Sequence, residues 1–156
     1  FKHVNEGINP HPKERKIALH AYDVVSVKSL KLYPDAKAIL DLKIPKVLVT
    51  RGEKQLQIRK IKHLGIAKYF EKIYFIPTFK QKRDAFKLIL KRHKLKPSEV
   101  LVIGDRMEEE IKDANSLRIP SVLVRRPDWP IHKDMAKPDF TVKDLRVLAR
   151  KLHRSI

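Results

Sequence analysis

The stretch Val100-Leu101-Val102-Ile103-Gly104-Asp105-Arg106-Met107-Glu108-Glu109-Glu110-Ile111-Lys112-Asp113-Ala114-Asn115 decides how this chain folds. Four apolar residues run into Gly104-Asp105, and a helical pattern carrying Glu110, Ile111 and Ala114 follows. A short continuous apolar run closed by glycine predicts a buried strand. Such a strand delivers the Asp105 carboxylate to its C-terminal tip, and the helix adds a second carboxylate about one turn later. Ligands in open α/β sheets sit at strand tips. Two or three carboxylates beside a phosphate are the usual way to hold Mg²⁺. Asp105 and Glu110 are the candidate pair, with Glu109 as the substitute for Glu110. Glu108 to Glu110 open the helix, where its dipole favours acids in any case. Asp113 lies one turn beyond and is expected to be solvated.

Outward from this stretch, apolar strands alternate with amphipathic helices. Pro34 suits the first turn of a helix whose inner face is Ala36, Ile39, Leu40 and Leu42. Val47-Leu48-Val49 reads as a strand ending at Thr50-Arg51-Gly52, and Glu53 to Leu64 as a helix stopped by Gly65. Ile73 to Ile76 is the next strand, and Asp84 to His93 the next helix. Ser121–Val124 and residues 139–141 read as further strands, and Lys143 to about His153 as a closing helix. This alternation predicts an α/β fold, a Rossmann-like parallel sheet with helices on both faces. Residues 1–30 differ: Asn9 to Pro12 form a turn, and Lys13 to about Lys28 has apolar residues at helical spacing.

Two other predicted strand ends carry phosphate-binding chemistry. The Thr50 hydroxyl can bond a phosphate oxygen, and Gly52 lets backbone N–H groups approach one. The plainer alternative makes Thr50 the N-cap of the next helix. Lys80 and Lys82 precede the 84–93 helix, where a lysine can neutralise a phosphate as a point charge. With 36 basic residues in the chain, a solvated surface role is the alternative for either. Seven scattered histidines form no metal-spaced pair, and Trp129 reads as a packing anchor for a loop.

At 156 residues the chain suits one domain with a real core. It has no cysteine, which excludes disulfides and thiolate metal sites. No apolar run approaches the ~20 residues that span a bilayer, and no signal peptide is visible, so the expectation is a cytoplasmic protein with no membrane contact. Lys and Arg outnumber Asp and Glu by 36 to 18, a formal charge of +18. That excess favours polyanions, such as RNA or a ribonucleoprotein, or phosphorylated small molecules.

Together these segments resemble the haloacid dehalogenase superfamily from its second motif onward. Leu32-Tyr33-Pro34-Asp35-Ala36 is similar to the start of the helix before that motif. Val47 to Gly52, with Leu64-Gly65-Ile66 and Tyr69-Phe70-Glu71, resembles the second motif and its downstream helix. Lys82 or Lys80 fits the third motif by its distance from Phe86. Gly104-Asp105 with Glu110 resembles the fourth, in which relatives often carry Asp at the second acid. The resemblance implies that Thr50 (with Arg51 and Gly52 beside it) and the lysine hold a phosphate, while Asp105 and Glu110 position Mg²⁺. It further implies that residues 1–30 are the remnant of a helical cap and residues 31–156 the α/β core.

The family's first motif, a strand ending in Asp-x-Asp, is not found in the sequence. Its first carboxylate would attack phosphorus, and its second would act as general acid and base. Glu6, Glu14, Asp23, Asp35 and Asp41 precede Thr50, and none follows an apolar strand or lies two residues from another acid. By the resemblance, the missing strand belongs between those ending at Thr50 and Gly104. The chain is therefore expected to be an inactive C-terminal portion of a Mg²⁺-dependent phosphatase, its sheet completed by an upstream segment or a partner chain. A start at Phe1 favours this over a rearranged pseudoenzyme whose strands close up. The alternative function is a basic pseudoenzyme that binds RNA or a ribonucleoprotein, and a scaffold completed by a partner strand is a third.

Overall fold

A computed structural model describes residues 27–78, 80–126 and 136–154. Most of the expected cap remnant, and the loop that carries Trp129, lie outside the described residues; residues 27–29 are helical. The order is α1 (Ala36–Leu40), β1 (Val47–Arg51), α2 (Lys54–His63), β2 (Lys72–Ile76), α3 (Lys82–His93), β3 (Val102–Gly104), α4 (Lys112–Ser116), β4 (Ser121–Val124), β5 (Phe140–Val142) and α5 (Leu145–His153). No helix among the described residues is long and apolar enough to cross a membrane.

Every strand pairing is parallel, as the alternation predicts, and helices flank the strands. β1 pairs with β2, placing Val47 opposite Lys72 and Arg51 opposite Ile76. β4 lies between β3 and β5, with Gly104 opposite Leu123 and Val124 opposite Val142. All four β4 residues are buried, which is why Ser121–Val124 reads as a nearly unbroken apolar run.

The two half-sheets are not hydrogen-bonded to each other. β1 pairs only with β2 and β3 only with β4, so one edge of each is unpaired among the described residues. This is the place where the expected central strand is missing. Side chains link the halves instead. Phe86, Val102, Ala114 and Ile119 form one buried cluster, and Val49 of β1 packs against it. A large apolar side chain fully buried in such a cluster contributes about 1.5–3 kcal/mol.

The helix starts show how local chemistry was divided. Glu53, not Thr50, caps α2, accepting from the backbone N–H groups of Gln55 and Leu56 at 2.9 and 2.5 Å. At α3 the N-cap residue Gln81 supplies no side-chain bond. The missing acceptor comes from α4: Asp113 Oδ2 takes the Arg83 N–H at 2.9 Å. Asp113 is therefore 8 % exposed rather than solvated, held in by a backbone donor that needs it. The expected regular helix after Asp105 is also different. Met107–Ile111 form a π-helical turn, and the α-helical part is Lys112–Ser116.

Three helices end in one hydrogen-bond pattern, a left-handed residue followed by a bond back across the last turn. At α2 the left-handed residue is Gly65, with Ile66 N bonded to Ile61 O at 3.3 Å. At α3 it is Lys94 (φ 54°), with Leu95 N to Leu90 O at 2.9 Å. At α4 it is Arg118 (φ 57°), with Ile119 N to Ala114 O at 3.0 Å.

Candidate functional site

The C-terminal ends of β1 and β3 and the start of α3 meet, although the strands themselves do not pair. Arg51, the last residue of β1, bonds the Glu109 carboxylate through its guanidinium. Lys82, the first residue of α3, bonds Glu110 Oε1 and lies 3.7 Å from Glu109 Oε2. Arg106 adds a third cation to Glu109 at 3.3 Å, and its backbone N–H donates to Glu110 Oε2 at 3.2 Å. The side chains of Lys82 and Glu110 are each 11 % exposed, so this pair is largely screened from water. Removing one partner of such a pair strands the other charge and costs about 3–5 kcal/mol.

Backbone chemistry fixes Glu110. A Cβ added to Gly104 would lie 2.5 Å from Glu110 Cβ and 2.6 Å from its Cγ, closer than carbon atoms approach. Glycine at the end of β3 thus leaves the space that Glu110 fills. The π-helical turn that carries Glu109 and Glu110 is a departure from α-helix frequently found at functional sites.

Asp105 is exposed at the strand tip. Surrounding protein nevertheless pushes its pKa up by desolvation, and the neighbouring charge of Glu110 pushes it further; Arg106 and Lys82 oppose this only in part. Two carboxylates that repel one another at a strand tip form a donor pair that a bound cation would relieve. Among the described residues no three His, Cys, Asp or Glu side chains gather to hold a metal ion. Mg²⁺ is commonly held by only one or two carboxylates together with water and substrate phosphate, so the Asp105–Glu110 pair fits this ion in kind and number.

At the other strand tip, Thr50 Oγ1 donates to Gln57 Oε1 at 2.8 Å. Gly52, at φ 142°, bonds through its N–H to Ile76 O at 2.9 Å, which ties the β1 turn to the end of β2. The structure thus gathers Arg51, Lys82, Glu109 and Glu110 into one charged cluster. Lys80 is exposed and takes no part in it. Sequence reasoning missed Arg106, whose position next to Asp105 was the available signal, and the pairing of Arg51 with Glu109 across 58 residues. A cavity of about 310 Å³ adjoins the cluster, lined in part by Arg51, Lys82, Arg83, Glu109 and Asp113.

Comparison with known proteins points the same way. The sequence profile of haloacid dehalogenase-like hydrolases matches residues 2–115. A glyceraldehyde 3-phosphate phosphatase of Methanocaldococcus jannaschii is 29% identical over 144 residues, covering 88% of this chain and 63% of the relative. One from Methanopyrus kandleri is 28% identical over 152 residues, covering 91% and 65%. The chain thus spans less than two thirds of the length of either. Among solved structures, L-2-haloacid dehalogenase from Xanthobacter autotrophicus superposes with a TM-score of 0.72 at 17% identity, covering 94% of this chain and 69% of that one.

Proposed function

Because the chain belongs to the haloacid dehalogenase-like hydrolases, we propose that it carries the phosphate-binding and Mg²⁺-binding half of a phosphohydrolase active site. The observation that carries this is the meeting of Lys82 and Arg51 with the Glu110 and Glu109 carboxylates at the tips of two unjoined half-sheets. Thr50 and Lys82 are assigned to the phosphate, with Arg51 and Gly52 beside it. Asp105 and Glu110 are assigned to Mg²⁺, with Glu109 held back by its three cations. When bound, the ion would draw negative charge from the phosphoryl oxygens. A phosphate arriving at Lys82 exchanges one anionic partner for another, so the lysine stays neutralised with or without substrate. The substrate class is a phosphorylated small molecule, and the two archaeal relatives named as phosphatases support it.

The reaction in the intact parent would run through an aspartyl-phosphate. A carboxylate attacks phosphorus and the P–O ester bond breaks. A second acid protonates the departing alcohol, and water then releases inorganic phosphate. Neither of those two acids is found in this chain, so the 156-residue protein is proposed to be inactive alone. The test is turnover of p-nitrophenyl phosphate with Mg²⁺. No turnover by this chain is expected, together with activity when a strand ending in Asp-x-Asp is supplied at its N-terminus. Turnover by the chain alone that disappears in Asp105→Ala would overturn the proposed inactivity. Failure of the completed protein to turn over any phosphate monoester would overturn the proposed activity.

A further inference from the structure

We infer that the end of the molecule opposite the strand tips is a docking surface for the phosphodiester backbone of nucleic acid. This surface is separate from the proposed phosphatase site and does not depend on it. In a parallel sheet the helices run back from the strand tips, so their C-terminal ends gather at the far pole. The contacts of Arg51 with Glu109 and of Lys82 with Glu110 show that both half-sheets point their tips the same way. The far pole therefore collects Lys60, Lys62 and His63 of α2, Lys91, Arg92 and His93 of α3, and Arg150, Lys151 and His153 of α5. Most acids in the described residues sit at the tips, as helix caps or in the Asp105–Asp113 segment.

The helix dipole alone favours cations in a last turn. It does not explain the cations beyond the helix ends. Lys94 and Arg118 occupy left-handed backbone positions, where an L side chain is strained and glycine is not. Gly65 shows what the unstrained choice looks like at the equivalent point of α2. At two of three such ends the chain accepts strain and presents an exposed cation, with Lys96 exposed just beyond the first. Strain of this kind is retained where the residue does something. Two of the nearby acids are engaged by backbone: Glu99 accepts from Lys96 N at 2.6 Å, and Asp139 from Ser121 N at 2.8 Å. Phe140, 59 % exposed at the first residue of β5, offers a ring on which a base can stack. Repeated cations with an exposed aromatic fit a chain of phosphodiesters better than a single phosphate.

The experiment measures binding of the 156-residue chain to a fluorescein-labelled single-stranded RNA of mixed sequence by anisotropy, between about 50 and 200 mM salt. Two triple variants lose the same charge. Lys91→Gln, Lys94→Gln and Lys96→Gln lie at the far pole; Lys54→Gln, Arg125→Gln and Lys143→Gln lie at the tip side. The far-pole triple is expected to bind about tenfold or more weakly and to lower the slope of log K against log salt by about 2, since each lost contact to a single strand is worth about 0.7. The tip-side triple is expected to keep the original slope. Lys94→Gly, which removes a cation while relieving backbone strain, keeps the test alive if the far-pole triple misfolds. It is expected to lower the slope by about 0.7. Equal losses in both triples would show that net charge alone is responsible and would overturn the inference. So would no binding at the lowest salt, an unchanged slope in Lys94→Gly, or tighter binding to phosphatidylserine vesicles than to RNA.

Discussion

The Asp35 carboxylate grips the Arg126 guanidinium through two parallel hydrogen bonds, of 2.9 and 3.1 Å, across 91 residues of sequence. The same carboxylate accepts the backbone N–H of Leu145 at 2.8 Å, so one side chain joins the start of α1, the exit of β4 and the start of α5. Arg126 also lies over the Tyr33 ring, 4.1 Å from its centroid. Asp35 is 5 % exposed. Asp35→Ala strands the guanidinium, whose side chain is only 11 % exposed, and should cost about 3–5 kcal/mol in urea denaturation.

This clasp sets an acid limit. Burial works against ionisation of Asp35, but the bonds from Arg126 and Leu145 outweigh it and hold the pKa below the usual carboxylate range. A depressed pKa means stability that is present above the unfolded-state value, about 3.9, and lost as pH falls through the folded value. Melting temperatures measured from pH 6 downward should therefore decline most steeply below about pH 4. The Asp35→Asn protein should start lower and show a shallower decline.

Asp113 caps a helix to which it does not belong. Asp113→Ala removes the acceptor for Arg83 N–H and should destabilise the chain by about 1 kcal/mol. Gln81→Asp supplies a carboxylate at the proper N-cap position. It should recover much of that loss in the double variant, measured by denaturant midpoint.

The Asp105–Glu110 pair should respond to Mg²⁺. Asp105→Asn removes the repulsion from Glu110 and is expected to raise the melting temperature at pH 7 in the absence of metal. Mg²⁺ should raise the melting temperature of the unmodified chain, because a ligand that binds only the folded state stabilises it. The variant should lose that response. An equal rise in both proteins would separate Mg²⁺ stabilisation from this pair.

Lys94 gives a prediction of opposite sign for stability and binding. Replacing it by glycine relieves the left-handed backbone and should stabilise the fold by about 1 kcal/mol, measured by thermal melting. The same variant should bind RNA more weakly.

Much of this was legible in the chain itself. β4 was readable to the residue because a strand buried on both faces is nearly continuous in apolar residues, here Val122 to Val124 after Ser121. The strand tips at Thr50 and Gly104 were readable because glycine closes each apolar run. The meeting of Lys82 with Glu110 was not visible, since 28 residues separate them and lysines are abundant. Asp113 was misjudged because helical spacing says where a carboxylate points, not which distant N–H lacks a partner. The π-helical turn escaped for a related reason: Met107 to Ile111 has an ordinary helical composition, and the close fit of Glu110 against Gly104 is visible only in the fold.

The unjoined edges of β1 and β3 bear on how cooperatively the molecule holds together. Among the described residues no backbone ladder crosses from one half-sheet to the other, so the halves are joined through side chains: the Phe86–Val102 cluster with Val49, and the ion pairs of Arg51, Lys82 and Asp35. Side-chain packing and ion pairs loosen more readily than a shared ladder of amide bonds. Amide exchange should then reveal two protection levels, slow in the three-stranded half with its buried β4 and faster in β1–β2. A strand seated in the slot would merge them into one, converting two neighbouring subdomains into a single melting unit.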